Sequence, residues 1–444
     1  MNSGLRINNT RWIITTTSVL ALFCFLYTIT PDCFSIGLSG VSWLYIILCF
    51  VFFSIRRGTL RKPLYFDGCF IYSLISIILQ TIHGEYASAF WTGVSLLLVP
   101  CIFVSEVKDK KVFFKLIDCV IYSGMIVCFL GIAEALTGFN IFYSILNTVG
   151  AVANYNSARL GMVRIIGFTS HAISYAAYIM FLLSMVIYRI RQISSRRKKR
   201  SYSIVYITAV VNAVLTLSRS AIMAIILCQL LLLLKLGVQK TVKKVLVTIC
   251  VTLALSLIIQ IMVPDFDFIS QFFLMMIGVF NKSVSNIITD AVGANANGIG
   301  ERLLLYKWVW DSMEGSMIVG HGGGTAFAYN YTISGDIWNL THTKESIEVQ
   351  YLYQLYHYGM IGMLSQIIMY ISLLIAGIKS YRKSKKSCEG KLTFDYVFLV
   401  TLAVYFLLFF AVNQATERYI FNMFLYLFFA YSTNRLFVEN EGLK

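Results

Sequence analysis

The apolar residues of this chain come in blocks of about 20, separated by short polar segments. About 20 apolar residues is the length that an α-helix needs to cross the hydrocarbon core of a bilayer. Twelve blocks can be read along the sequence, at about 12–30, 35–55, 66–82, 87–104, 113–137, 166–188, 202–217, 219–235, 243–263, 346–378, 392–411 and 418–434. The pattern predicts an all-α polytopic membrane protein with about 12 transmembrane helices.

The positive charges predict an orientation for these helices. When the N-terminus is placed inside, all but eight of the 37 Lys and Arg residues fall in inside segments, as cytoplasmic loops require. The outside residues are Arg159, Arg164, Arg219, Lys282, Arg302, Lys307, Lys344 and Arg418. We therefore expect both termini to be cytoplasmic. The net charge of +16 reflects this bias, so we expect no nucleic-acid partner.

Composition favours a single integral membrane domain over residues 1–444. Hydrophobic residues make up 58% of the chain and charged residues 13%, about half the charged share of a soluble domain. The ten cysteines form no Cys-x-x-Cys motif or Cys/His cluster, so no metal site is expected. The first block is too long for a signal-peptide core, and we interpret it as a retained helix.

One outside segment, 264–345, is much longer than the other loops and lies between the ninth and tenth predicted helices. It contains a flexible stretch at 293–300 and a helix-forming stretch at 301–311 whose aromatic residues suit a membrane–water interface. A glycine-rich turn, Gly320-His-Gly-Gly-Gly324, follows. We expect this large periplasmic loop to carry part of the chemistry.

Arg219 is the most informative charge. It follows Ser218, also a candidate for binding the substrate or its diphosphate, in the sequence Leu215-Thr-Leu-Ser-Arg-Ser-Ala221. This sequence lies between two apolar halves, of which the first barely crosses a membrane. A guanidinium at the outer surface needs anions, and its fork matches phosphate oxygens. The alternative is that Arg219 reaches lipid headgroups or pairs with Glu417 or Glu345.

Further candidates for binding phosphate lie on other outside segments. Arg164 precedes the sixth predicted helix and Arg302 lies in the large loop, and together with Arg219 they could clamp a diphosphate. An ordinary membrane-flanking role for Arg164 remains open. Gly320 and Gly322 would let a phosphate or sugar approach the backbone closely, although no Gly-Lys-Ser/Thr follows, so this is no P-loop.

Candidates for acid–base chemistry cluster around the start of the tenth predicted helix. They are His342, Glu345 and Glu348. If the chain is helical from about residue 344, the two carboxylates share one helix face, and either could accept a proton from a sugar hydroxyl. The alternative is a solvated helix start with capping carboxylates.

Taken in order, these motifs resemble one family. The order is Arg164-x-x-Gly-Phe, Leu-Thr-Leu-Ser-Arg-Ser-Ala around Arg219, Arg302 followed by Trp308 and Gly320-x-Gly322, and Tyr358-Gly-Met-Ile-Gly362. Over about residues 160–365 the chain is similar to the O-antigen polymerase and ligase superfamily of bacterial envelope glycosyltransferases. The large loop before the Gly359–Gly362 helix is part of this resemblance.

The resemblance implies a membrane enzyme that acts on glycans carried by undecaprenyl diphosphate, in the inner membrane, with its active site facing the periplasm. Arg164, Arg219 and Arg302 would contact the diphosphate and glycan. No metal or nucleotide cofactor is implied, because the lipid diphosphate is already a leaving group. The expected partners are the lipid-linked glycan, membrane lipids, and a chain-length regulator and flippase of the same pathway.

Three functions are compatible with this resemblance. A polymerase transfers the growing chain onto a new lipid-linked repeat unit of O-antigen, capsule or a related polysaccharide. A ligase transfers the glycan to lipid A–core, but ligase-like members carry a His about 11 residues before Gly-x-x-Gly, where this chain has Glu348. A flippase would show internal repeats and midplane polar residues. The sequence favours the polymerase.

Overall fold

The computed structural model is mostly helical and describes residues 16–31, 33–55, 59–147, 163–235, 237, 299–334, 339–344, 346–347, 349–387, 392–410 and 418–434. Its longer helices are α1 (Thr16–Tyr27), α2 (Gly40–Ile55), α3 (Asp67–Ile82), α4 (Tyr86–Gly93), α5 (Val99–Glu106), α6 (Lys110–Thr137), α8 (Ala172–Gln192), α9 (Arg196–Leu215), α10 (Arg219–Leu234), α11 (Ile299–Asp311), α12 (Gln350–Ser387), α13 (Phe394–Val404) and α14 (Arg418–Asn434). The short α7 is Ile141–Ile145.

Short π-helical and β elements complete the described chain. A π-helical turn, Val94–Leu98, joins α4 to α5, and a second, Tyr405–Phe409, extends α13. One hairpin pairs β1 (Ser35–Ile36) with β2 (Leu38–Ser39), and another pairs β3 (Tyr329–Ser334) with β4 (Asn339–Lys344). The sequence did not indicate either hairpin.

The predicted apolar blocks coincide with helices over most of the residues that the structure describes. The exceptions include the β1–β2 hairpin in the second block and residues 166–171 of the sixth. Within the described part of the chain, four helices are long and apolar enough to cross a membrane: Tyr86–Glu106, Lys110–Thr137, Ala172–Gln192 and Gln350–Lys385. Shorter apolar helices occupy five other blocks. These helices indicate a multi-pass membrane protein. The ninth block, 243–263, lies outside the described residues, so the count of twelve and the orientation stay predictions.

Helix α8 forms the centre of the bundle. Every residue from Ser174 to Arg189 is buried, and α8 contacts α6, α9, α10, α13 and α14. A helix that is apolar and buried all round belongs in the middle of a membrane bundle rather than at its rim. Among its buried polar side chains, Tyr175 bonds a neighbouring helix, because its Oη donates to Asn212 Oδ1 at 2.8 Å.

Helices α3 and α12 pack closely together at the rim of the bundle. A Cβ at Gly68 would lie 2.4 Å from Ser372 Cβ, so the glycine permits this approach. The outward face of α12 carries exposed aliphatic side chains at helical spacing, namely Ile361, Leu364, Ile368, Ile371 and Ile375. Such a stripe is typical of a helix face that meets lipid.

Ionic contacts secure the end of the bundle that the charge pattern places inside. Arg189 donates from Nε to Asp118 Oδ1 at 2.5 Å and from Nη2 to Oδ2 at 2.9 Å. Its guanidinium carbon also lies 4.1 Å from the centroid of the Phe114 ring. This two-pronged geometry compensates both charges at a partly buried position.

Candidate active site

Helices α9 and α10 meet at a sharp break, Thr216-Leu217-Ser218. Leu217 is fully buried and has a φ of 50°, which is uncommon for a residue with a side chain. Ser218 precedes α10 in an extended conformation and is 3% exposed. The break therefore buries Ser218 and places Arg219 at the first residue of α10, where backbone N–H groups favour an anion.

Arg164 lies directly beside this break. Its Nε donates to Thr216 O at 3.1 Å, and the side chain is only 6% exposed. The backbone is anchored there too, because Ile165 N–H donates to Leu215 O at 3.3 Å. The structure thus brings Arg164 to the three-residue turn that ends at Arg219. The structure describes only the backbone of Arg219.

A buried carboxylate holds the segment that carries Arg164. Glu134, in the last turns of α6, accepts the Ile166 N–H at Oε1 and the Gly167 N–H at Oε2, both at 3.0 Å. Asn140 Nδ2 donates to Gly167 O at 2.7 Å. Gly167 has a φ of 58° and abuts the Tyr175 ring, 2.6 Å from where a Cβ would stand. The sixth apolar block, predicted from 166, therefore starts as irregular chain, and α8 begins only at Ala172.

The glycine-rich turn of the large loop packs against a break within α12. At this break Gly359 has φ 65° and ψ −170°. The next two N–H groups of the helix leave the helical pattern and bond the loop: Met360 N–H donates to Met317 O at 2.9 Å, and Ile361 N–H to Ile318 O at 3.3 Å. The break thus supplies free backbone donors to which the loop attaches.

The same contact also includes hydrogen bonds in the opposite direction, which the loop donates to α12. His321 N–H donates to Tyr356 O at 3.0 Å, and Gly322 N–H donates to His357 O at 2.8 Å. A Cβ at Gly320 would lie 2.5 Å from Gly359 N. The close approach that Gly320 permits is therefore to the backbone of α12. The sequence assigned Gly320 and Gly322 to substrate binding, and that role stays a prediction.

The turn between α3 and α4 contacts the other side of the glycine-rich turn through hydrogen bonds. Glu85 accepts the N–H groups of Gly323 and Gly324, the latter at 3.3 Å, and the Tyr358 hydroxyl donates to its Oε2 at 3.1 Å. His83 Nε2 lies 2.9 Å from Val319 O. Sequence reasoning missed Glu85. The available signal was a carboxylate in a short turn between two predicted helices, but its partners lie far away along the chain.

Helix α11 and the start of β3 pack against the N-terminal part of α12. Trp308 of α11 is buried and stacks on Tyr329 of β3, with ring centroids 5.5 Å apart. The hydrophobic cluster beneath them comprises Leu305, Trp308, Val309, Met313, Phe327, Ile347, Val349, Leu352, Leu355 and Tyr356. The helix predicted at 301–311 is confirmed, and it carries Arg302 near its start, although the Arg302 side chain is not described.

The segment with the acid–base candidates is not helical from residue 344. His342 lies in β4, paired with Tyr331, and Lys344 ends the strand. The β-branched Thr341 and Thr343 favour this extended conformation, and α12 begins only at Gln350. The expectation of a helix from residue 344 is wrong. Glu345 and Glu348 lie outside the described residues, as does the His342 side chain, so their roles stay predictions.

The family comparison covers most of these elements. Residues 204–367 match the family model described as O-antigen ligase, Wzy_C. No protein with a curated description matches the chain. The match spans a little over a third of the sequence and includes the start of α10, the glycine-rich turn and the break in α12, but neither Glu85 nor Arg164. It supports a role in lipid-linked glycan transfer in surface-polysaccharide synthesis and does not separate polymerase from ligase.

Proposed function

Taking the O-antigen polymerase/ligase superfamily as the family that this match supports, we propose that the chain polymerises undecaprenyl-diphosphate-linked repeat units at the periplasmic face of the inner membrane. It would transfer the growing glycan from one lipid carrier onto a new lipid-linked unit. One observation carries the proposal: the buried guanidinium of Arg164 is docked on the turn that ends at Arg219.

A buried guanidinium beside a helix start suits a diphosphate leaving group. Arg presents N–H groups in a fork that matches phosphate oxygens, and it stays charged when desolvated. The first N–H groups of α10 add a favourable field for an anion. Charge that develops on the departing diphosphate would therefore be compensated by groups already in place.

The chemical step is a substitution at the anomeric carbon of the growing chain. A hydroxyl of the acceptor sugar forms the new C–O bond, and the bond to the diphosphate oxygen breaks with its electron pair. The hydroxyl proton passes to a base, for which His342, Glu345 and Glu348 are our candidates. Undecaprenyl diphosphate leaves, stabilised by Arg164, Arg219 and Arg302.

The proposed site lies beneath the cover formed by α11 and the β3–β4 hairpin. In this proposal residues 1–444 form one integral membrane domain and 264–345 its periplasmic loop. The cover would hold the glycan near the outer ends of the spans and limit the access of water to the reacting carbon. The lipid tail of the carrier would stay in the bilayer beside the bundle.

The second candidate function is the ligase, which the description of the matching family favours. The polymerase is preferred because residue 348, eleven positions before Gly359, is Glu where ligase-like members carry His. The two enzymes share the lipid-linked donor and differ in the acceptor, so they can be separated by product.

Deletion and complementation tests the proposal. We expect Arg219→Ala and Arg302→Ala to insert in the membrane at normal levels but to yield surface polysaccharide with a single repeat unit on gel profiles. Arg196→Ala, in the exposed basic run at the start of α9, is the matched control and should keep a full ladder. A normal ladder in both site variants would refute the assignment, and polymer that accumulates on the lipid carrier would identify a ligase.

A further inference from the structure

Glu85 joins three parts of the chain that are distant in sequence. Its carboxylate lies in the α3–α4 turn and is partly buried. It accepts two backbone N–H groups of the glycine-rich turn, from Gly323 and Gly324, and the hydroxyl of Tyr358 beside the break in α12. Hydrogen bonds to an ionised acceptor are stronger than neutral ones, and this carboxylate receives three.

The glycine-rich turn is the base of the hairpin that carries a predicted catalytic residue. The chain leaves the turn through Ala326, whose carbonyl accepts the Tyr356 hydroxyl at 3.2 Å. It then passes the buried Phe327 into β3, returns through β4 with His342, and reaches α12. Both ends of the hairpin are thus anchored on α12, and Glu85 secures the first of them.

We propose that Glu85 is a positioning residue for glycan transfer: it locks the glycine-rich turn onto the break of α12 and so fixes the β3–β4 hairpin over the outer ends of the spans. This inference rests on the proposed function for its catalytic consequence. The attachment of the glycine-rich turn to α12 through Glu85, called the lock below, can be measured without substrate.

The hydrogen-bonding groups of the side chain at position 85 determine which substitutions should keep the glycine-rich turn attached to α12. Glutamine keeps one oxygen that can accept the Gly323 and Gly324 N–H groups, and its amide can donate to the Tyr358 hydroxyl oxygen. Alanine removes all three contacts and opens both glycine amides to water. Glu85→Gln should therefore rescue what Glu85→Ala loses.

Hydrogen exchange on the purified full-length protein in detergent measures the lock directly. We expect Glu85→Ala to speed exchange of the Gly323 and Gly324 amides at least tenfold, whereas Glu85→Gln stays within threefold of wild type. Asp67→Asn is the matched control, because Asp67 is an exposed carboxylate at the opposite end of α3, paired with Lys62 at 2.8 Å. It should leave these amides unchanged.

Transfer kinetics with a purified lipid-linked repeat unit test the catalytic consequence. Because Glu85 is not placed against substrate, Glu85→Ala should lower kcat at least tenfold and change KM less than twofold, and Glu85→Gln should restore kcat. Unchanged exchange in Glu85→Ala overturns the lock, and faster exchange with normal kcat overturns the positioning role. If wild type transfers no glycan, the proposed function fails while exchange still decides the lock.

Discussion

Substitution of Gly359 by alanine tests the packing of the glycine-rich turn most directly. The backbone there, at φ 65° and ψ −170°, is a region that glycine alone adopts readily, and an alanine costs about 1–3 kcal/mol in strain. The added Cβ would also stand 2.2 Å from Ile318 O and 2.6 Å from Val319 N. These contacts involve backbone atoms, so no side-chain rotation can relieve them.

Relief therefore requires the turn to move away from α12. Four backbone hydrogen bonds then break, donated by His321, Gly322, Met360 and Ile361. At about 0.5–1.5 kcal/mol each, their loss amounts to about 2–6 kcal/mol. Opening of the turn should become easier by at least about 2 kcal/mol, which corresponds to a roughly thirtyfold faster exchange of its amides.

Hydrogen exchange of the Gly320–Gly324 amides in Gly359→Ala measures this effect. Gly377→Ala is the matched control in the same helix, since its new Cβ would meet only Leu399, at 3.3 Å from Cδ1 and 3.4 Å from Cβ. We expect the control to exchange as wild type does. If Gly359→Ala also stays within threefold of wild type, the argument from backbone contact is wrong.

Two further predictions concern carboxylates within the bundle. Glu134→Gln removes one of the two oxygens that accept the Ile166 and Gly167 N–H groups, and the N–H left unpaired costs about 1–3 kcal/mol. The segment that carries Arg164 should then be held less firmly, and the polysaccharide ladder should be shorter. A ladder of wild-type length would contradict this prediction. Arg189→Ala leaves Asp118 without its ion-pair partner and should destabilise the protein by about 3 kcal/mol in detergent. Adding Asp118→Asn should recover much of that loss, and a double variant no more stable than Arg189→Ala would argue against the ion pair.

The helices were predictable because their signal is local. Each apolar block needs only its own length and composition to be read as a helix, and α6 and α8 follow the predicted blocks to within a few residues at most ends. The main difference is at the start of α8, because the predicted block began at residue 166 and the helix begins at Ala172. There the Glu134 carboxylate accepts the Ile166 and Gly167 N–H groups, so tertiary hydrogen bonds replace those of a helix.

Only those residues of the candidate site could be predicted whose chemistry follows from their own type. An arginine near an outer membrane end stands out as a charge, so Arg164 could be identified, and the structure docks it on the α9–α10 break. Glu85 and Tyr358 could not be found, because their hydrogen bond joins residues 273 positions apart. The Gly320 and Gly359 contact is of the same kind, since close approach of two backbones leaves no pattern in either segment alone.

Two irregular segments near the candidate site are each held by a carboxylate that accepts two successive backbone N–H groups. Glu134 does so for Ile166 and Gly167, and Glu85 for Gly323 and Gly324. Non-helical backbone near a membrane must satisfy its N–H groups within the protein, and a carboxylate can satisfy two at once. These acids are thereby committed to structure. In the proposed site, Glu134 beside the Arg164 segment is thus used by the backbone, which agrees with a site that binds an anionic diphosphate.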